Sequence, residues 1–422
     1  MSSLSRGRCL LPDDALRYAL FTHALGSLVQ LLSSQPDALR TRLFDFITTR
    51  WLVGGYLVLL TGLFWIPDGS QYTKFYYALI AAPALLAVML MPRQMKPLLS
   101  EPVVLCFLLL SAWLLLTMGW SRAEDSFGSL AKRPLYVFML FVGCALIALR
   151  NEERFLKTLR IGAALGALAA LINVAWFMHI AAPGERLIGT GALRNPLLTS
   201  HVLGFLCTYW VAAWLSRNER HDWLPILMAL PLLAALLATG SRTPLMGLAL
   251  TSVWMLSMSG KRAMYLVAAL LLGAAAAYLV APEIILQRGT SFRPELWGDA
   301  WRQAGQHLWL GAGYESKFEF DIPGVGHLLH DPHNVELAVL LELGMIGLGI
   351  WAIMYGFALL RCLHLRALPQ FQIASALLIY GLCAGLTEGG NYLSRPNESW
   401  FLIWIPMALL GALSIRHRQA NA

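Results

Sequence analysis

The sequence predicts an all-α fold: a polytopic integral membrane protein with about twelve transmembrane helices and one large loop on the outer face. Three observations predict it. Of the 422 residues, 58% are hydrophobic and only 13% charged, with a mean hydropathy of +0.60; soluble domains carry about 25% charged residues. The apolar residues gather in runs of the length a bilayer requires, about 20 residues per helix. The 32 Lys and Arg residues fall unequally on the two sides of those runs, as the positive-inside rule expects. The same composition excludes a disordered chain, which would be poor in apolar residues and rich in charge.

Taken in order, residues 1–50 read as a cytoplasmic, interfacial N-terminal segment. Residues 15–34 are partly apolar but include Arg17, His23 and Gln30, and Asp37 to Arg50 alternates apolar with charged residues; both suit helices lying on the membrane surface. Pro12, Asp13 and Asp14 interrupt the early apolar stretch, which argues against a cleaved signal peptide. Residues 51–422 form one transmembrane domain. Its spans are expected at 51–67, 75–92, 102–120, 134–149, 158–181, 197–216, 223–239, 243–258, 263–281, 334–360, 371–386 and 400–415. The largest outer loop is 282–332, followed by 182–196, 121–133 and 387–399.

With these spans, 20 of the 32 basic residues lie on one side and 12 on the other. The richer side is cytoplasmic, both termini with it, and the large loop is periplasmic. The formal charge of +8 therefore belongs to a membrane surface rather than to nucleic acid. Nine of the twelve outer cations are Arg, whose planar fork suits phosphate, whereas Lys is a point charge. Arg122, Lys132 and Arg133 flank a span and read as snorkelling side chains. Cys106, Cys144, Cys207 and Cys383 sit in apolar runs, and no CxxC or zinc spacing occurs.

The span interiors hold few charges, Glu342 being the clearest. Ion-coupled transporters place acidic or His residues at that depth, so a flippase or exporter of an anionic lipid is the weaker reading. The polar chemistry gathers instead in five outer segments. They are Arg186 to Thr190 with Arg194; Thr239-Gly240-Ser241-Arg242-Thr243; Arg288 to Trp297; His327 to Asn334; and Glu388 to Tyr392 with Arg395. In the third, Pro294 and Glu295 suit a helix start, and Arg293, Trp297 and Trp301 share a face. That face suits an aromatic belt with Arg293 directed at an anionic lipid headgroup. In the fourth, Asn334 suits an N-cap. Helical spacing places His333, Glu336 or Leu337, Leu340, Gly344 and Gly347 on one face. The glycines then read as close packing that fixes the histidine, and Glu336 as the group that orients its imidazole. His327, His330, Asp331 and His333 invite a metal reading, but Pro332 breaks regular ligand spacing, so no metal and no cofactor is expected.

The run His333-Asn334, nine residues, Gly344, two residues, Gly347 matches the H-[NSQ]-x9-G-x-x-[GTY] pattern of O-antigen ligases. The chain also resembles that family in its Ser241-Arg242 pair at a span start and its basic outer loop before the motif, and the resemblance covers residues 50–415. An Arg-x3-Leu element is expected in that loop; here Arg288 is followed at that spacing by Phe292, and Arg293 by Trp297. The resemblance implies transfer of a glycan from undecaprenyl diphosphate to a sugar hydroxyl of lipid A–core, on the periplasmic face of the inner membrane of a Gram-negative bacterium. O-antigen polymerases and protein O-oligosaccharyltransferases are the related alternatives.

The chemistry points the same way. A sugar hydroxyl is a poor nucleophile, and a positioned base contributes about 10²–10⁴-fold. His333 is the candidate base. A departing prenyl diphosphate gains negative charge, which preorganised Arg side chains stabilise where water is excluded. Arg186, Arg242 and Arg293 are the candidates for that role. Arg194, Arg288, Asn334, Trp297, Trp301 and Glu336 are the candidate substrate-binding residues. No paired carboxylate nucleophile stands out in the outer loops, so a single inverting displacement is expected.

Overall fold

The computed structural model describes residues 37–217, 222–280, 292–324 and 326–421. Among them the regular structure is helical, with one isolated antiparallel bridge between Phe320 and Leu329. Residues 1–36, including the expected interfacial helix at 15–34, lie outside the described residues, as does Arg288.

Thirteen main helices follow in chain order: α1 (Ala38–Phe64), α2 (Gly69–Leu90), α3 (Pro102–Thr117), α4 (Phe127–Arg150), α5 (Glu152–Ile180), α6 (Pro196–Ser216), α7 (Leu224–Thr239), α8 (Thr243–Ser259), α9 (Lys261–Val280), α10 (Arg293–Ala304), α11 (Val335–His364), α12 (Pro369–Gly385) and α13 (Glu398–Ala420). All but α10 overlap one of the twelve expected segments. Among the described residues, seven helices (α1, α2, α4, α5, α6, α11 and α13) are long and apolar enough to cross a membrane. The count becomes eight if α3 and the short helical piece Pro92–Ser100, bent at 92° to it, form one span. The helix α7 is shorter, at 16 residues.

At the N-terminal boundary the helix that starts at Asp37 continues through a π-helical stretch at Ile47–Trp51, so that Ala38–Phe64 as one helix is long and apolar enough to cross a membrane. Two of its charges, and one backbone carbonyl, are met by neighbouring helices. Arg40 donates to the Leu90 carbonyl at 2.9 Å, Asp45 pairs with Arg150 at 2.7 Å, and Arg154 donates to the Thr49 carbonyl at 3.0 Å. These partners explain how an alternating pattern continues a membrane helix.

The centre of the bundle is α13, whose apolar window is 89% buried, packed on α4. At the periphery α5 buries only 33% of its window and turns Leu165, Leu168, Leu171, Ile172 and Trp176 outward. Lipid is as apolar as leucine, so such a face is stable in a membrane. An aromatic cluster of Trp351, Trp404 and Tyr392 joins α11 and α13 to the loop above them; the Trp351–Trp404 centroids are 5.8 Å apart.

The helix α11 is broken at Gly344, with φ +67° and ψ −170°, a region that only glycine occupies freely. The break is filled by the outer loop's own backbone. Ala312 and Gly313 donate to the carbonyls of Leu341 and Glu342 at 2.9 Å each, and Met345 donates to Leu308 at 2.8 Å. The indole of Trp113 caps the Leu343 carbonyl at 2.9 Å. Groups orphaned by the break thus find partners, as buried backbone must. The expected glycine face therefore does not run through: Gly344 is a hinge occupied by a loop strand, not a packing stripe continuous with His333.

Arg133 also departs from expectation. It does not snorkel; its side chain is buried, pairs with Asp125 at 2.8 Å and with Glu315, and donates to the Tyr314 hydroxyl at 3.1 Å.

Candidate active site

The four residues Asp331-Pro332-His333-Asn334 form a rigid entry to α11. The His333 N–H donates to its neighbour's carboxylate, Asp331 Oδ1, at 2.7 Å, an Asx turn. That turn holds His333 at φ +48°, a left-handed conformation uncommon outside glycine. Asn334 then caps the helix, its Oδ1 accepting from Leu337 N at 2.9 Å, while its Nδ2 donates to the Leu386 carbonyl at 2.9 Å. Trp297 Nε1 donates to the Pro332 carbonyl at 3.1 Å. Loop, cap and α10 together fix the histidine backbone.

The imidazole is half-exposed and faces two carboxylates. Its Nδ1 lies 3.9 Å from Asp331 Oδ1 and 4.0 Å from Glu388 Oε2. Both separations exceed a hydrogen bond, and catalytic contacts of this kind commonly tighten only when substrate binds. Glu388 is 3% exposed. Its other oxygen pairs with Arg293 and accepts from Thr243 Oγ1 at 3.4 Å. Burial pushes the Glu388 carboxyl above the ordinary Glu range; Arg293 and His333 oppose the rise without cancelling it. One buried carboxylate thus joins the histidine to the first residue of α10 and to the first turn of α8.

From Thr243 the network continues to the corner between α7 and α8. Gly240 closes α7 in the left-handed conformation, and Arg242 precedes α8 with its side chain exposed. Arg186 donates to the Thr239 carbonyl at 2.6 Å and to Ser241 Oγ at 3.0 Å. The structure therefore brings His333, Arg293, Arg186, the Ser241-Arg242 pair and Glu388 into one cluster at one end of the bundle.

Other expected site residues stand apart. Arg194 donates to the Pro67 carbonyl at 2.9 Å, tying the 182–195 loop to the α1–α2 turn. Trp301 is exposed. Arg293 directs its guanidinium at Glu388 rather than outward to a headgroup. The side chain of Glu336 lies within α11, its Oε2 buried without a partner among the described residues, and it is not among the contacts of His333. The carboxylates that face the imidazole are instead Asp331 and Glu388. Sequence reasoning singled out both segments and weighed Asp331 only as a metal ligand, giving neither acid a part in orienting His333. The available signal for Glu388 was an acid directly before Gly389-Gly390 at the end of an apolar run.

His330 turns its Nδ1 to the Phe318 carbonyl at 3.0 Å, and His327 is exposed. Among the described residues no group of three or more His, Cys, Asp or Glu side chains is arranged to hold a metal ion.

Comparison with known proteins bears on the family of the chain. A family model described as O-antigen ligase matches residues 227–352, a stretch that contains Ser241, Arg293, His333 and the Gly344 break. The chain is also similar to an O-antigen ligase of Pseudomonas aeruginosa, 45% identical over 386 residues that cover 89% of this chain and 93% of that protein. Identity of that extent reaches well beyond the matched segment and over most of the helical bundle, and on it the chain belongs to the O-antigen ligase family.

Proposed function

We propose that this protein transfers a glycan from undecaprenyl diphosphate to a sugar hydroxyl of lipid A–core, at the periplasmic face of the inner membrane, with the large loop periplasmic and both described ends of the bundle cytoplasmic. The observation that carries the reading is the His333–Glu388–Arg293 cluster at the outer end of α11. With Nδ1–H turned to the carboxylates, Nε2 keeps its lone pair for substrate. The acceptor hydroxyl gives its proton to Nε2 as its oxygen bonds to the anomeric carbon. The bond from that carbon to the diphosphate breaks in the same displacement, which inverts the centre. Arg186, Arg242 and Arg293 receive the charge that develops on the leaving diphosphate. Asp331 and Glu388 stabilise the imidazolium that forms.

The reaction proceeds without metal or cofactor in this reading, so activity survives exhaustive chelation; loss restored by zinc or magnesium would overturn it. The decisive experiment reconstitutes the protein in vesicles with lipid-linked glycan and lipid A–core. Glycan joined to lipid A–core is the expected product. Lengthened lipid-linked glycan would indicate a polymerase, glycosylated protein an oligosaccharyltransferase, and movement of the donor across the bilayer without product a transporter.

A further inference from the structure

A second polar cavity lies at the other end of the loop that carries Glu388. It has a volume of about 620 Å³ and is lined by Ser70, Lys74 and Tyr77 of α2, Asp125 and Arg133, and Asn391, Ser394, Arg395 and Asn397. This volume falls within the ~300–1,000 Å³ typical of small-ligand sites. Its charge is unbalanced. The lining carries three cations, Lys74, Arg133 and Arg395, against one carboxylate, Asp125, and Arg133 is shared between Asp125 and Glu315. Among the described residues, Lys74 and Arg395 have no carboxylate within ion-pair distance, and the one polar contact of Arg395 is Ser129 Oγ at 3.4 Å. The rest of the lining is hydroxyl and amide, with one aromatic wall. Tyr77 packs at a 38° tilt against Tyr136 with centroids 4.6 Å apart, and its ring offers the cavity the kind of apolar plate on which a sugar ring rests.

The cavity is built rather than incidental, because its wall is pinned. Tyr392 donates to Glu342 at 2.7 Å, the Leu393 carbonyl accepts from Tyr314 at 2.5 Å, and the Ser394 carbonyl accepts from Trp400 at 3.2 Å. It is also connected. Asn391, exposed at the corner, lines both this cavity and a neighbouring one of about 340 Å³ that is walled by His330, Asp331 and Pro332. A chain lying in the first cavity would run past Asn391 to the residues next to His333.

We propose that this cleft binds an anionic, phosphate-bearing oligosaccharide of the acceptor, with Lys74 and Arg395 on its phosphate and Tyr77 under a sugar ring. This rests on the glycosyl-transfer reading for the identity of the ligand as acceptor. The arginine cluster at Glu388 serves the donor diphosphate; the cleft serves the other substrate, and the rigid 388–397 loop spaces the two.

The test is a binding titration and a transfer assay on the purified full-length protein. The probes are lipid A–core oligosaccharide and the same oligosaccharide after phosphatase treatment. Exposed charge-assisted contacts are each modest, so Lys74→Ala with Arg395→Ala is expected to weaken the phosphorylated probe about tenfold. The acceptor KM should rise similarly while the donor KM is unchanged. The charge-keeping pair Lys74→Arg with Arg395→Lys should bind like wild type, and the wild-type preference for the phosphorylated probe should vanish in the double alanine variant. Unaltered binding by that variant, with an unaltered thermal midpoint, would overturn the proposal. So would a wild type indifferent to phosphatase treatment, or a rise in donor KM instead of acceptor KM. Binding that behaves as expected in a protein with no transfer activity would sink the catalytic reading and leave the cleft assigned to an anionic sugar.

Discussion

Gly344→Ala tests the least ordinary feature of the fold. A methyl group there would lie 2.5 Å from Gly311 N and closer still to the Trp309 carbonyl oxygen. Two routes are open to the variant. If the new alanine keeps φ near +67°, a conformation reserved for glycine costs about 1–3 kcal/mol before any clash. If instead α11 straightens, the loop strand is expelled, and the three hydrogen bonds from Ala312, Gly313 and Met345 are lost at about 1 kcal/mol each. Either route, with the clash or the exposed backbone added, destabilises by about 3–5 kcal/mol. About 1 kcal/mol moves the midpoint of a domain of 150–250 residues by some 2–4 °C, so thermal unfolding in detergent should drop by at least about 5 °C. Gly349→Ala on the same helix is the control, because a Cβ there meets nothing within 4 Å and alanine favours a helix by about 1 kcal/mol over glycine. A Gly344→Ala protein melting with wild type, or no lower than Gly349→Ala, would refute the account of the break.

Three further outcomes bear on the site. His333→Ala should fold and still bind lipid-linked donor, while transfer falls by about 10²-fold or more; His330→Ala, whose ring holds only the Phe318 carbonyl, should lose less, and equal losses measured in one assay would return the metal reading. Arg186→Lys replaces the planar fork that reaches Thr239 through Nε and Ser241 through Nη2 by a single donor atom, so initial rates should fall even though the charge is kept; full activity would show that charge alone matters there. Glu388, raised by burial, takes up its proton before exposed carboxylates do as pH falls. Transfer should decline in that window as the charge facing Arg293 and His333 is lost. Stability moves the other way: a carboxyl raised in the folded state contributes stability below its unfolded pKa and loses it as pH rises through the folded value. Parallel pH–rate and pH–melting curves on wild type and Glu388→Gln check both signs, and an acid limb identical in the two proteins would remove Glu388 from the mechanism.

Much of this architecture was legible in the sequence. Each expected span overlaps a helix, because apolar runs of bilayer length leave the backbone no other way to satisfy its hydrogen bonds. Asn334 was legible as a cap for an equally local reason. The misreadings share a physical cause. Glu388 lies 55 residues beyond His333, and helical spacing pointed to Glu336, one turn away, because periodicity sees only neighbours on one element. A glycine in an apolar run looks the same whether it serves packing or a positive φ, so Gly344 could not declare itself a break. Asp37 to Arg50 looked interfacial because the partners of Arg40 and Asp45, the Leu90 carbonyl and Arg150, come from elsewhere in the chain.

The strand of loop inside α11 changes what counts as an exchangeable part. A chimera that swaps the outer loop at its visible edges would sever backbone pairings between residues 308–313 and 341–345, and would bring together a Gly311 and a Gly344 from different parents, each of which abuts the other's backbone. The natural cassette therefore runs from α10 through the middle of α11. Grafts cut inside the helix, beyond Gly347, should yield folded hybrids where grafts cut at its N-terminus do not.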